Sequence, residues 1–439
     1  MTLPRRTFIK QAAAAGAALP LALPNLVRAV APNSKVRHVS VGGGGMPWGD
    51  VQSLARNKYF ELVGVCDVDE GRLGPPKKKF PNIATFTDWR KMYDKLHKDF
   101  DSVNVGTPDH THAPATMAAI SLGKHCYTQK PLTHDVYESR QLAEAAARAK
   151  VVTQMGIQVH STTQYRLPVA MVRAGVIGKV KEVYTWSGKN WGGGNRPDGS
   201  DPIPPNLDWE SWIGTAPMRP YKSRVYHPGQ WRRWLDFGTG TFGDMGCHIY
   251  DPVYNAIGVK YPLSIRSEGP APFAETWPTS AEVHYVFPGN EYTDGDTVKF
   301  AWYDGGRKPP ENVRKLIGKI SWPSQGSITI GTKGVMLLPH VGSPRFLPEE
   351  KFPRSIYPKL PPADHRMQFI DAIRGEGATT AGFDYSGPLT ETILLGGIAV
   401  RFPGKTLEWD SQKLEVTNVP DANQYVRRTY RKGWEVAGL

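Results

Sequence analysis

Residues 36–50 read VRHVSVGGGGMPWGD, and the order of residue types in this stretch decides the fold. A β-rich run, Val36–Val41, ends in four consecutive glycines and gives way to helical periodicity through Lys58. Strand, glycine turn and helix in that order open a dinucleotide-binding βαβ unit. Residues without side chains let the backbone approach a pyrophosphate, and the amides at the helix start face its charge. Gly42, Gly44 and Gly45 are the expected cofactor-binding positions. The third glycine of a G-x-G-x-x-G pattern falls at position 47, where this chain has Pro47. The second strand, in FELVGVCDVD, ends with Asp67, twenty-three residues beyond Gly44. A carboxylate there accepts from both hydroxyls of an adenine ribose and repels a 2′-phosphate, so the expected cofactor is NAD rather than NADP.

Outward from this unit the alternation continues. FDSVNVGTP and KHCYTQKP read as further parallel strands; HAPATMAAISLG and DVYESRQLAEAAARAK read as amphipathic helices, the first closed by Gly123. Residues 36–155 are therefore predicted to be an NAD-binding Rossmann domain around a doubly wound parallel sheet. Past VVTQMGIQVH the texture changes. Residues 190–240, rich in Gly, Pro, Trp and Tyr, read as long ordered loops. LSIRSEG, SAEVHYVFP, TVKFAWYDG and QGSITIGTKGVMLLP alternate with period two and predict a second sheet, open and mostly antiparallel. Helices return at ADHRMQFIDAIRG and PLTETILLGGIAVRF. The fold class is α/β: the Rossmann domain plus a C-terminal α/β domain, residues 156–439, for substrate binding and oligomerisation, with closing helices in 363–402.

The first residues read differently. PRRTFIKQAAAAGAALPLALPNLVRAVA places Arg5 and Arg6 before an Ala/Leu-rich run and ends in small residues. That pattern predicts a twin-arginine export signal over residues 1–29, with Ala29 preferred to Ala31 as the cleavage site because Pro32 follows the latter, and a periplasmic or otherwise exported protein with no stable membrane insertion after cleavage. The formal net charge is +13, and PPKKKF is a dense basic run. It has no aromatic interleaving and no nucleic-acid motif, so it reads as a solvated face and nucleic acid is excluded as a partner. Cys66, Cys126 and Cys247 are widely spaced and read as buried thiols, not as a disulfide framework or zinc knuckle.

GTGTFGDMGCHIYD, Gly238–Asp251, sets Asp244 and His248 four residues apart, on one face of a helix. With His160 the pair could ligate a metal, but no further ligands assemble around it, so none is expected. NVGTPDHTHAP (Asn104–Pro114), GKHCYTQKPL (Gly123–Leu132) and GDMGCHIYD together resemble the glucose–fructose oxidoreductase and inositol dehydrogenase family, also called Gfo/Idh/MocA. The resemblance implies that Thr107, Pro108 and His110 lie along the cofactor and that the Glu-Lys-Pro motif falls on Gln129, Lys130 and Pro131. It implies that Asp244 and His248 complete a catalytic group with Lys130. Gln129 departs from the usual Glu; its amide is expected on the nicotinamide ribose. Gln158, Trp231 and Arg232 complete the expected cofactor contacts, and Trp191, Tyr226, Trp231 and Trp234 are candidates for stacking on a sugar.

Hydride loss from a carbinol carbon requires loss of the hydroxyl proton. His248, poised near neutral pH, suits that transfer, Lys130 can stabilise the developing oxyanion, and Asp244 can orient substrate or His248. The glycines before them are expected to let the chain pass close to sugar and nicotinamide. The implied function is hydride transfer between tightly bound NAD and a carbinol of a sugar, cyclitol or glycoside, in a homo-oligomer, dimer or tetramer. One alternative is an NAD-dependent glycosidase acting by transient oxidation. The other is a non-catalytic sugar-binding protein with a relict Rossmann domain.

Overall fold

The computed structural model describes residues 34–439; the expected export signal lies outside them. Strand β1 (Val36–Val41) stands at the centre of a six-stranded sheet. On one side lie β2 (Phe60–Cys66) and β3 (Ala84–Phe86); on the other lie β4 (Ser102–Val105), β5 (His125–Thr128) and β6 (Thr153–Met155). The order is β3-β2-β1-β4-β5-β6 and every pairing is parallel. The winding reverses between β1 and β4, so a ligand crevice opens at the carboxyl ends of these strands. The chain leaves the strands there through Gly42 after β1, Asp67 after β2, Thr107 after β4, Lys130 after β5 and Gln158 after β6.

Pro47 has a packing reason. Gly42 has φ +115°, and a Cβ on it would lie 2.5 Å from the Pro47 ring; one on Gly106 would lie 2.7 Å from the same ring. The proline fills the room two glycines leave, inside the first turn of α1 (Gly45–Leu54), where its missing N–H costs nothing. Its carbonyl accepts from Asn104 Nδ2 at 3.3 Å. Asn104 Oδ1 meets His38 Nε2 at 2.9 Å, and His38 Nδ1 meets Ser102 Oγ at 2.8 Å. A buried polar chain through the sheet centre thus holds the glycine turn.

Helices α2 (His112–Ser121) and α3 (Val136–Ala149) cover this sheet. A capping box of Asp135 and Glu138 starts α3. Glu138 also takes Arg428 at 2.7 Å and the Tyr430 hydroxyl at 2.5 Å, which ties the end of the chain to the first domain.

Helix α4 (Thr163–Arg173) leads into the second sheet. That sheet has nine strands: β7 (Val180–Ser187), β8 (Ser264–Ser267), β9 (Glu282–Pro288), β10 (Thr297–Tyr303), β11 (Gln325–Gly331), β12 (Val335–Pro339), β13 (Arg345–Leu347), β14 (Thr406–Asp410) and β15 (Glu415–Val416). Its order is β13-β12-β11-β7-β10-β9-β8-β14-β15, antiparallel except for the β7–β10 pair. Helix α5 (Gly240–Ile257) packs on it through Phe242, stacked on Trp302 at 4.6 Å.

The closing helices belong to both halves. Phe369, Ile370 and Ile373 of α6 (His365–Ile373) share a core with Val36, Val51 and Leu54, so α6, expected in the second domain, completes the first. Helix α7 (Phe383–Val400) packs on α3, where Arg140 makes a bidentate pair with Glu391 at 2.9 and 3.0 Å. Among the described residues no helix is long and apolar enough to cross a membrane.

Candidate active site

The glycine-rich stretch expected as a loop over substrate is helical from Gly240 onward. Its glycines make room for protein, not ligand. Gly240, at φ +66°, lies under the Trp277 ring, and a Cβ on Gly246 would lie 2.7 Å from Phe242. The helix so placed turns Asp244 towards Lys130, which leaves β5 just before a cis peptide to Pro131. Lys130 Nζ donates to Asp244 Oδ1 at 2.6 Å and to the Asp244 carbonyl at 2.9 Å. Arg232 Nε reaches the same Oδ1 at 3.2 Å. On Oδ2, Trp191 Nε1 donates at 2.9 Å and Lys189 Nζ stands at 3.6 Å. Asp244 therefore positions Lys130, not His248, with which it shares no hydrogen bond. The His248 ring lies 5.6 Å from that of His340, whose Nδ1 meets the Tyr165 hydroxyl at 2.7 Å. His248 Nδ1 is buried without a partner.

Burial pushes the Asp244 carboxyl up, but Lys130, Arg232 and Lys189 outweigh it and hold the group far below the ordinary carboxylate range. Burial drives His248 the other way, and Lys130 and His340 add to it, so its proton affinity falls well below the usual 6.5. The expectation of a histidine poised near neutrality is corrected: the ring is neutral at pH 7, with one nitrogen bearing hydrogen and the other able to accept a proton. Behind Lys130, Asp109 is buried and pushed up to about 7; its Oδ2 takes the Thr239 amide at 3.1 Å and hydroxyl at 2.7 Å.

Along the crevice, Asp67 Oδ2 accepts from the Gly43 amide at 2.9 Å and Oδ1 from the Asp69 amide at 3.0 Å, so the carboxylate is fixed beside the glycine turn. Gly44 and Gly45 rim the turn, and nothing lies within 4 Å of a Cβ placed on Gly45. Thr107 and Pro108 are half-buried, the Thr107 hydroxyl accepting from Thr111 Oγ1 at 2.7 Å. Gln129 Nε2 donates to Asp50 Oδ2 at 2.5 Å, so the donor expected on a ribose is committed within the protein. Gln158 Oε1 is buried with no partner. That orphaned acceptor, the Gly45 end of the glycine turn, with the Arg72 guanidinium beside Gly44, and the fixed Asp67 carboxylate together fit a dinucleotide: its phosphates at the turn, its adenine ribose at Asp67 and an amide donor at Gln158.

Other expected contacts lie elsewhere. His110 is fully buried, its Nε2 3.2 Å from the Trp212 carbonyl and its ring 5.0 Å from Phe237, so it props the crevice floor without lining it. Trp231, Tyr226 and Trp234 are buried in an aromatic cluster with Trp209, Trp212 and Phe237, which leaves Trp191 as the stacking candidate in the site. Arg232 stands at Asp244, its guanidinium 4.3 Å from the Trp231 ring. His160 pairs with buried Asp251 at 2.7 Å, and no metal-holding cluster occurs among the described residues. Sequence reasoning missed Asp50, Lys189, Asp109 and His340 as site residues: Asp50 and Asp109 stand inside the quoted motifs but gain their partners only through the fold, and Lys189 and His340 come from segments without a local motif.

The loop between β7 and α5 also reaches the adenine end. The Asp208 amide donates to the Val68 carbonyl at 2.8 Å, and the Glu70 amide to that of Asn206 at 2.9 Å. Asp69 takes Asn206 Nδ2 at 2.6 Å and His227 Nε2 at 3.0 Å. Residues 206–227 thus strap the turn after β2.

A six-stranded parallel sheet with this crevice, beside a second domain whose helix α5 brings Asp244 to Lys130, defines a two-domain dinucleotide-binding fold. Residues 36–157 match the Gfo/Idh/MocA oxidoreductase family's NAD-binding Rossmann fold, and residues 168–299 match its C-terminal alpha/beta domain. The chain belongs to the Gfo/Idh/MocA family, and its first domain is an NAD-binding one. A glycosyl hydrolase family 109 protein of Shewanella baltica is 27% identical over 201 residues, 40% of this chain and 44% of that protein. An alpha-N-acetylgalactosaminidase of Shewanella oneidensis is 27% identical over 164 residues, 36% of each chain. A levoglucosan dehydrogenase of Pseudarthrobacter phenanthrenivorans is 24% identical over 181 residues, 41% of this chain and 38% of that one. The chain thus aligns with less than half the length of these curated relatives. Among solved structures, the WlbA dehydrogenase of Bordetella pertussis, in complex with NADH and UDP-GlcNAcA, superposes with TM-score 0.59 at 14% identity over 86% of this chain and 99% of that one. The aldose-aldose oxidoreductase of Caulobacter crescentus gives TM-score 0.56 at 16% identity, covering 85% and 99%.

Proposed function

We propose that the protein is an NAD-dependent oxidoreductase acting on a carbinol of a sugar, cyclitol or glycoside. The observation that carries this reading is Lys130, held at 2.6 Å by Asp244 and sharing a crevice with a neutral His248 at the carboxyl edge of an NAD-binding sheet. When bound, the dinucleotide supplies the hydride acceptor. The chain supplies the rest. Lys130, fixed by two oxygens of Asp244, has an N–H left for the carbinol oxygen and stabilises negative charge as the proton leaves. His248 takes that proton. Its burial disfavours the imidazolium, and the nearby Asp244 carboxylate offsets part of that penalty. Trp191, anchored through its indole N–H, offers a face for the sugar ring.

A second reading shares the first step: oxidation, cleavage of a glycosidic bond, then return of the hydride, with no net redox change. Relatives named as glycosyl hydrolase family 109 proteins and as an alpha-N-acetylgalactosaminidase favour it. Arg5 and Arg6 support export by the twin-arginine route, for which a redox-neutral or self-regenerating reaction is apt because NAD would have to be retained. A homo-oligomer is also part of the proposal: along β9, Val283, Tyr285 and Phe287 are buried while Glu282, His284 and Val286 are half-buried, leaving one sheet face partly open. The test is to identify the nucleotide in the purified protein, then follow nicotinamide absorbance in single turnovers with a panel of sugars and glycosides. Tight glycoside binding without reduction of bound NAD would favour the sugar-binding reading instead.

A further inference from the structure

The crevice around Asp244 carries more positive charge than the protein neutralises. Lys130, Arg232 and Lys189 all converge on that one carboxylate, at 2.6, 3.2 and 3.6 Å. The neighbouring groups do not restore balance. Asp109 is buried behind Thr239 and pushed up to about 7, Asp251 bonds His160 and the Tyr385 hydroxyl and makes no ion pair with any of the three cations, and His248 and His340 are neutral. Lys130 and Asp244 are nearly enclosed, with side chains 14% and 9% exposed, whereas Arg232 is 30% and Lys189 45% exposed. The uncompensated charge therefore faces the open side of the site. Arg232 uses Nε on Asp244 and Nη1 on the Gly229 carbonyl at 3.3 Å, and the ring of Trp191 lies 5.5 Å from its guanidinium. An oxidised nicotinamide brings a further positive charge to such a crevice, so a neutral sugar would leave the imbalance standing.

We propose that the substrate is an acidic sugar, a uronic acid or its glycoside, whose carboxylate is taken by Lys189 and Arg232 while its ring lies against Trp191. This deepens the reading proposed above and rests on it for the place of the sugar. A carboxylate at the mouth is attracted by two cations over a few ångströms in a partly desolvated setting, where such attraction exceeds its value in water. It also sets the register of the ring, placing a hydroxyl, not the acid group, at Lys130 and His248.

The test uses the NAD-loaded protein and measures Kd by titration calorimetry for methyl glucoside, methyl glucuronide and methyl glucoside 6-sulfate. The expected result is a glucuronide preference over the neutral glycoside of roughly tenfold or more at low salt, shrinking as salt rises. Lys189→Gln, a change at an exposed side chain, should abolish most of that preference. Equal or tighter binding of the neutral glycoside, failure of either to bind, or a preference that survives both salt and Lys189→Gln overturns the proposal. Tighter binding of the sulfate overturns the assignment of a carboxylate. The redox reading fails separately: a glucuronide that binds with the expected preference but never reduces NAD sinks that reading and leaves this one standing.

Discussion

The Gln129 amide donates to Asp50 across 2.5 Å, and Asp50 turns its other oxygen to the Arg366 guanidinium at 2.7 Å. Burial raises the Asp50 carboxyl, and Arg366 and Gln129 pull it back. A glutamate at 129, usual for the family the motif resembles, would press a second carboxylate onto a buried one that has a single guanidinium partner. Gly156 belongs to the same arrangement, since a Cβ there would lie 2.6 Å from the Gln129 amide.

Gln129→Glu should therefore destabilise the fold by about 1–3 kcal/mol and lower the NAD content, and Asp50→Asn in the same chain should recover much of both. Denaturant midpoints and bound nucleotide for the two single variants and the double one decide it. Additive losses, with no recovery in the double variant, would show that the two positions are not coupled.

Lys130→Ala and His248→Ala should each slow single-turnover reduction of bound NAD by roughly 10²–10⁴-fold, with NAD retained. Both act on one hydroxyl, so the double variant should lose little more than the worse single one. A folded, NAD-loaded variant reducing at the unmodified rate removes that residue from the chemistry.

Asp67→Ala should shift the bound nucleotide towards NADP, because the carboxylate that repels a 2′-phosphate is gone. It also removes the acceptor of the Gly43 amide, so total nucleotide content should fall as well. Mass spectrometry of the extracted nucleotide reads both; NAD alone at unchanged occupancy would refute the role given to Asp67.

Acid should destabilise the protein, and the sign follows from its histidines. Burial holds His38, His112 and His125 at about 4 and His110 and His365 at about 3, each from an ordinary 6.5. Below about pH 6.5 the unfolded chain protonates these rings and the folded one does not, so each costs about 1.4 kcal/mol per pH unit until its folded value is reached. Burial raises Asp109, Asp304 and Glu391 to about 7, which works in the opposite direction as pH falls from 7. His134, His248 and His340 are lowered and Asp50, Asp67, Asp135 and Asp371 raised as well, so eight histidines stand against seven carboxyls; unfolding at pH 5 should take up protons and the denaturant midpoint should be lower there than at pH 7. An unchanged or higher midpoint at pH 5 contradicts this balance.

Replacing Arg5 and Arg6 with Lys should retain the protein in the cytoplasm, as a twin-arginine signal requires the guanidinium pair. Fractionation checks it, and undiminished export would reject that route.

The first domain was legible because its signals are local. Strand, glycine turn and helix are contiguous, and Asp67 falls at the end of the next strand whatever the distant chain does. Lys130 and Asp244 were legible as members of motifs, but their pairing was not, since 114 residues separate them. The role of the glycines before Asp244 was misread because helix and close-packed loop share a composition. Trp277, brought in by tertiary packing, distinguishes them. His110 and Trp231 are polar-tipped side chains beside the crevice whose burial is decided by Trp212 and Phe237, which no local pattern reports. The charge excess at the mouth was hidden for the same reason: Lys189, Arg232 and Lys130 come from three separate segments.

The strap at residues 206–227 has a consequence for motion. It is covalently part of the half that carries Arg232 and Asp244, yet four hydrogen bonds fasten it to residues 68–70 at the opposite end of the crevice. The two halves are thus joined by a tether besides the interdomain helices. Any hinge opening at the Asp244 end must either drag the turn after β2 along or release all four bonds first. Slackening at one end of the crevice is thereby converted into tension at the other.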